Sequence, residues 1–529
     1  MISPTPTANR SVHHSGRSRG FDYDRRTRSM STTLTPLDFV LLGLYLAGTL
    51  GVGLWIGRSI RTGEDFFLGG RRLPWWAIGM SLVATDIGGP DIIGVGGAAY
   101  DHGMAVANFE WIGCVPAMII GALVFIPFFW RMGVATIPEY LEKRFDVRVR
   151  TALSICWQIF MACNLGVMLL ASARMMSELF GWGETTCILA TAVLVGAYTI
   201  VGGLAAVVYT DMIQCTVMIA GCLGVLVLGL VELGGPTAFW EQLEPAQKAL
   251  VLPVDTDTPF PWTGILFGLA LILSPAYWIG NQAIVQRSLG AKSAFQAQAA
   301  YVWGALLKSL IPVIIVGPGL VAVLLYPELD QADHAFPQLV AGLLPAGLRG
   351  IFLAAFLAAL MSSVDSYLNS ASTLVAYDIY KRFVAPEADA VAMLHVGRTV
   401  TAILVAWSIA CAMVMARLDE GIYTIFQTLM SFFQGPALAV LLAGTLWKRA
   451  TGTGALVGFL GGLVTTVSQF LLNNDTVCTW LGLRPLFQID EPFLYYSIWG
   501  FLVAGGLLVT VSLLTRREPD EKTSLTVLR

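Results

Sequence analysis

The chain has 529 residues, 56% hydrophobic and only 13% charged, with a formal net charge of −3. A soluble domain carries about 25% charged residues, so most of this surface must face lipid or other helices. A soluble globular fold is excluded, and the slightly acidic balance offers no basic face for nucleic acid.

In chain order, residues 1–29 come first, with six arginines and no apolar core of the kind a signal peptide needs. Residues 1–35 read as a disordered polar tail, and Met30 stands as an alternative start. A bilayer-spanning helix needs about 20 apolar residues. Thirteen segments meet or approach that length, at 36–57, 75–100, 105–130, 151–179, 185–202, 204–232, 262–286, 297–326, 349–380, 396–416, 421–447, 452–473 and 492–515. Glycine and proline inside several of them are tolerated in membrane helices. The expected fold is therefore an all-α polytopic membrane protein with one transmembrane domain over 36–515 and a C-terminal tail over 516–529.

Basic residues cluster on alternate loops: Arg58, Arg61, Arg71 and Arg72, then Lys143, Arg144, Arg148 and Arg150, then Arg287 and Lys292, then Lys381 and Arg382. The intervening loops carry few, and hold Asp255, Asp257, Glu328 and Asp330. Because cytoplasmic loops are enriched in Lys and Arg, the N-terminus is expected outside and the C-terminus in the cytoplasm. The eight cysteines form no CxxC pair and the five histidines are dispersed, so neither a zinc site nor a disulfide framework is indicated. No nucleophile elbow or phosphate loop suggests an enzyme.

Two spans carry helix-breaking sequences near their middles. The second is interrupted at Gly88-Gly89-Pro90, and the seventh at Leu273-Ser274-Pro275-Ala276. They lie five spans apart, as in transporters built of two inverted five-helix halves, whose discontinuous first helices hold the substrate at the break. Farther on, Ser362 and Ser363 sit inside an apolar helix. Two adjacent hydroxyls facing an unwound segment can supply a small cation with oxygens where no water is available. The alternative is that both serines bond to carbonyls one turn back.

Several stretches together resemble a known family. They are Asp65-Phe66-Phe67-Leu68-Gly69-Gly70 running into Leu73-Pro74-Trp75-Trp76, Tyr198-Thr199-Ile200-Val201-Gly202-Gly203 continuing to Thr210-Asp211, and Asn281-Gln282 with Gln286-Arg287. Leu360-Met361-Ser362-Ser363, Asn369-Ser370, Tyr377-Asp378-Ile379-Tyr380 and Leu446-Trp447-Lys448-Arg449 follow. In this set and order, over about 37–515, the chain resembles the sodium:solute symporters, and within them the sodium/glucose cotransporter branch. The resemblance implies two inverted five-helix repeats (a LeuT-like core) with flanking helices, working by alternating access. It implies Na⁺ as coupling ion, no organic cofactor, and a small polar solute, a hexose or related polyol, as cargo.

Carried over by motif, the sodium site would use backbone oxygens of Ala84, Ile87 and Ala359 and the hydroxyls of Ser362 and Ser363. The substrate positions would be Glu110, Tyr277, Trp278, Lys308 and Gln427. Glu110 and Lys308 lie in apolar runs, where an unpaired charge costs roughly 2.5–3.5 kcal/mol or more. Pairing with each other, or bonding a polyhydroxylated ligand, would offset that cost. Packing alone is the other reading of Tyr277 and Trp278.

Three positions depart from the branch. Asp91 stands where its sugar carriers have Gln or His, Ser274 replaces Asn or Thr, and Asp86 replaces Asn. The two added carboxylates either cap the helix that restarts after the break or contact cargo; the second case would favour an amino compound or amino sugar, and a monocarboxylate is a further rival. The resemblance implies that Asp365 lies near Asp211, which makes these two carboxylates a candidate second cation or proton site, since two such groups do not both ionise side by side without a cation. Oligomeric state is not legible.

Overall fold

The computed structural model describes residues 35–252, 261–416, 422–473, 478 and 492–527. The expected polar tail lies outside these residues. Among the described residues the chain is helical, and the one isolated bridge pairs Leu73 with Ala291.

The membrane helices, in chain order, are α1 (Pro36–Gly57), α2 (Trp75–Asp86), α3 (Gly89–His102), α4 (Phe109–Met132), α5 (Val147–Phe180), α6 (Glu184–Glu232), α7 (Gly264–Gly280), α8 (Gln282–Leu289), α9 (Ala294–Leu325), α10 (Leu348–Val384), α11 (Ala390–Met415), α12 (Ile422–Leu446), α13 (Gly452–Asn473) and α14 (Pro492–Leu514). Among the described residues nine helices are long and apolar enough to cross a bilayer, or eleven when the bent pairs α2–α3 and α7–α8 each count as one span. Every segment expected from hydropathy falls on one of these helices. The segments 185–202 and 204–232 are the two arms of α6, which kinks at Gly203 (φ 54°, ψ −159°).

Local sequence explains the ends. Thr35 and Asp38 form a reciprocal cap at the start of α1, and Asp146 caps α5 by accepting from the amides of Arg148 and Val149. Left-handed Gly133 and Gly181 close α4 and α5. At Gly203 a Cβ would lie 2.4 Å from the Phe66 carbonyl oxygen, so only glycine permits the kink to seat against the short helix Gly63–Leu68.

α10 forms the axis of the bundle: 94% of its most apolar window is buried, against 17% for α1. α10 packs on α6, α5, α1 and α2. Asp38 fastens α1 to the start of α10, accepting from the Gly347 and Gly350 amides at 2.8 Å each.

The first break is where the sequence suggests. Ile87 leaves helical geometry (φ −92°, ψ 89°), and α2 and α3 diverge by 60°. The second is displaced. Ser274 and Pro275 stay helical, between the wide π-type turns Gly264–Leu273 and Ala276–Gly280. The chain instead breaks at Asn281 (ψ 121°), with a 47° bend into α8. Wide turns accommodate the missing proline N–H and the ring's clash with the preceding turn. Asn281 is the better stop, because its side chain accepts from the Ala283 amide at 2.9 Å and caps α8.

The Leu73 amide donates to Gly290 O at 3.1 Å, Gly203 meets Phe66, and Arg150 pairs with Asp378 at 2.6 Å; each joins segments expected on one side. Arg287, expected as a loop charge, is instead 1% exposed and points into the bundle, because the bend at Asn281 turns α8 inward. The C-terminal tail docks on that same side: Tyr140 donates to Leu525 O at 3.0 Å, and the Val527 amide to Thr445 O at 2.8 Å.

Candidate functional site

Three clusters meet where α2 breaks. In the first, the Ser363 hydroxyl on α10 lies 3.0 Å from Thr85 O on α2 and 3.2 Å from Ala359 O on its own helix. The back-bond one turn down is therefore present, but the same oxygen also reaches across to the broken helix. One hydroxyl proton serves one carbonyl at a time, so a carbonyl lone pair stays open to another partner. Ser362 Oγ lies 3.4 Å from Thr85 Oγ1, and Ala84, Ile87 and Ala359 are buried beside them.

The second cluster holds two buried carboxylates. Asp211 accepts from Ser81 Oγ at 2.5 Å and from Thr85 Oγ1 at 3.4 Å, while its Oδ1 is buried without a partner. Asp365 accepts from the Tyr198 hydroxyl at 2.5 Å and from Ser366 Oγ at 3.1 Å. The hydroxyls of Thr85 and Ser366, 2.9 Å apart, link the two, so the expected proximity is present. Sequence reasoning missed Arg287 as the cation among them. Its guanidinium donates to Ser81 at 2.6 Å, to Thr85 at 2.5 Å, and to Ser366 and the Ala283 carbonyl, and lies 3.6 Å from Asp211 Oδ2. The signal available was Arg287's place one residue past an apolar span, beside the buried Gln286.

The third cluster surrounds Lys308 on α9, which is 1% exposed. Its ammonium pairs with Glu110 at 2.6 Å, as expected, and also with Asp86. Asp91 accepts from the Gly88 amide at 2.8 Å, which is the capping role. Both carboxylates nevertheless line a cavity of about 90 Å³ together with Glu110, Ser274, Tyr277, Trp278 and Gln434. At about 30 Å³ per water, that space holds about three waters, so a hexose requires the lining to open. Tyr277 and Trp278 thus face the cavity and also pack edge to face at 5.5 Å. The side chain of Gln427 lies outside the described residues. Gln434 was missed; a glutamine inside an apolar span, next to Gly435-Pro436, was the available signal.

The three clusters share helices: α2 ends in all of them, α10 enters the first two, and in the third α4 and α7 line the cavity while α9 supplies Lys308. Such a meeting of a broken helix, a serine pair and a charged cavity invites comparison with known proteins. The model of the sodium:solute symporter family matches residues 66–462. The chain belongs to the sodium:solute symporter family. It is 33% identical to the sodium/glucose cotransporter of Vibrio parahaemolyticus over 527 residues, covering 93% of each chain. It is 32% identical to the sodium/glucose cotransporter 1 of Oryctolagus cuniculus (91% of this chain, 80% of that one), and 33% identical to the sodium/myo-inositol cotransporter 2 of Sus scrofa (91% and 76%). Among solved structures the fold matches a Na⁺-coupled sialic acid symporter in a substrate-bound outward-open state, with TM-score 0.79 and 21% identity over 91% of this chain and 98% of that one. As a member of this symporter family the protein is a multi-pass membrane transporter and not an enzyme, and the expected LeuT-like helical architecture is borne out.

Proposed function

We propose that this symporter carries a small polar solute, a hexose or related polyol, into the cell with Na⁺ by alternating access. The observation that carries the reading is Ser363 Oγ lying between Thr85 O and Ala359 O, next to the cavity lined by Asp86, Asp91 and Glu110. The relatives named for glucose and myo-inositol support the sugar class. Na⁺ binds between α2 and α10 at Ala84, Ile87, Ala359, Ser362 and Ser363. The oxygens there carry no formal charge, which suits an ion that must also leave. Solute binds at Glu110, Ser274, Tyr277, Trp278, Lys308, Asp91 and Gln427, with hydroxyls donating to carboxylates and accepting from the ammonium.

A second cation site between Asp211 and Asp365 is part of the proposal. Two carboxylates against Arg287 leave one negative charge uncompensated, and the unpartnered Asp211 Oδ1 is available to a cation. The N-terminus lies outside and the C-terminus in the cytoplasm, on the strength of the basic loops. Uptake of labelled hexose into proteoliposomes, with and without a Na⁺ gradient, tests the function. Gradient-driven accumulation supports it; uptake that ignores the gradient sinks it.

A further inference from the structure

The cavity's charge does not suit a neutral cargo. Asp86, Asp91 and Glu110 bring three formal negative charges against the one positive charge of Lys308, leaving two uncompensated in a site walled by α2, α3, α4, α7 and α12. A Na⁺ bound at the neighbouring break neutralises one of them. The remaining charge stays in a low-dielectric interior, where an uncompensated ion is costly. Gln434 on α12 is 1% exposed, lines the same cavity, and has a side-chain Nε2 with no hydrogen-bond partner. A buried amide N–H without an acceptor is a standing cost that a ligand oxygen removes.

These two features ask for one molecule with a cationic group at one end and an oxygen acceptor at the other. We infer that the cargo is a hydroxylated monocation, an amino sugar with a free ammonium. The ammonium sits against Asp91 and Asp86 and a ring or hydroxyl oxygen accepts from Gln434. With Na⁺ and such a solute both bound, the formal charge of the site closes to zero, which couples the two ligands electrostatically. Binding of either lowers the cost of burying the other's counter-charge. The inference rests on the sodium–sugar symport reading and narrows its cargo.

The test is Na⁺-driven uptake of labelled glucosamine, glucose and N-acetylglucosamine by the full chain in proteoliposomes, at a pH where the amine is protonated. Glucose keeps the bulk and loses the charge; N-acetylglucosamine keeps the nitrogen without the charge and adds an acetyl group. Glucosamine uptake is expected to exceed that of both neutral sugars by about tenfold or more. Asp91→Asn, which can still accept from the Gly88 amide, is expected to lower the glucosamine-to-glucose ratio by about tenfold. Na⁺-dependent thermal stabilisation of the unmutated protein by glucosamine over glucose gives a second readout that needs no variant. Na⁺-driven uptake of glucose equal to or above glucosamine overturns this inference and leaves sugar symport standing. An unchanged ratio in Asp91→Asn also overturns it. Absence of Na⁺-driven uptake for all three sugars overturns both readings.

Discussion

Lys308 is held by two carboxylates, Asp86 and Glu110, in a part of the protein where water is scarce. Removing the ammonium leaves both acids without their shared counter-ion, a change that typically costs about 3–5 kcal/mol when a buried pair is broken. Lys308→Met is therefore expected to lower the melting temperature in detergent, and adding Glu110→Gln to recover part of the loss. A single variant that melts like the parent would show that the cluster is solvated. At the proposed sodium site the expected effect is on binding. Ser362→Ala with Ser363→Ala removes two of five oxygens, so Na⁺-dependent uptake should fall by about a hundredfold or more at unchanged expression, on the scale of about 1.5 kcal/mol per ion-bound hydroxyl. Parent-like accumulation in the double variant would end the site assignment.

The elements are joined by features that the residues alone only hint at. α6 divides into two arms because Gly203 turns it through a conformation reserved for glycine, with the Phe66 carbonyl against its missing side chain. Gly203→Ala is expected to cost about 1–3 kcal/mol in backbone strain before any clash is counted, measurable as a lower unfolding temperature. Near the loops, Glu142 bonds Arg150 at 2.5 Å and Arg382 at 2.8 Å, and Arg150 continues to Asp378 on α10. Burial works against the Glu142 carboxylate, but the hydrogen bonds from Arg382 and Arg150 outweigh it and hold its pKa below the usual 4.5. A carboxyl depressed in the folded state stabilises fully above its unfolded pKa, and that share is lost as pH falls through the folded value. Glu142→Gln should therefore flatten the fall in melting temperature between about pH 5 and pH 3. An unaltered acid profile would mean the network contributes nothing across that interval.

For the whole molecule, the number of ions sets what transport can achieve. One Na⁺ entering across about 100 mV yields roughly 2.3 kcal/mol, and a tenfold gradient adds about 1.4 kcal/mol. Together they sustain a neutral solute at roughly 500-fold accumulation. A second coupled cation squares that ratio. Asp365→Asn, which can keep the Tyr198 hydrogen bond, is expected to reduce the ion-to-solute ratio from about two towards one in paired flux measurements. A ratio indifferent to the substitution would leave Arg287 as the only cation that cluster needs.

The spans, their order and the first break could be read from the residues, because hydropathy and glycine–proline chemistry act over a few turns of one helix. The family likeness was legible for the same reason, since its motifs are short and contiguous. What depended on the tertiary structure was which side chains from distant helices face one another. Asn281 rather than Ser274-Pro275 breaks the seventh span, because wide turns absorb the proline and a side-chain cap is available later. Arg287 left the loop for the core, Asp86 joined Lys308, and Gln434 turned to the cavity. Hydropathy records that a helix is buried; helix rotation and bend decide what each polar group meets, and those are set by packing against other spans.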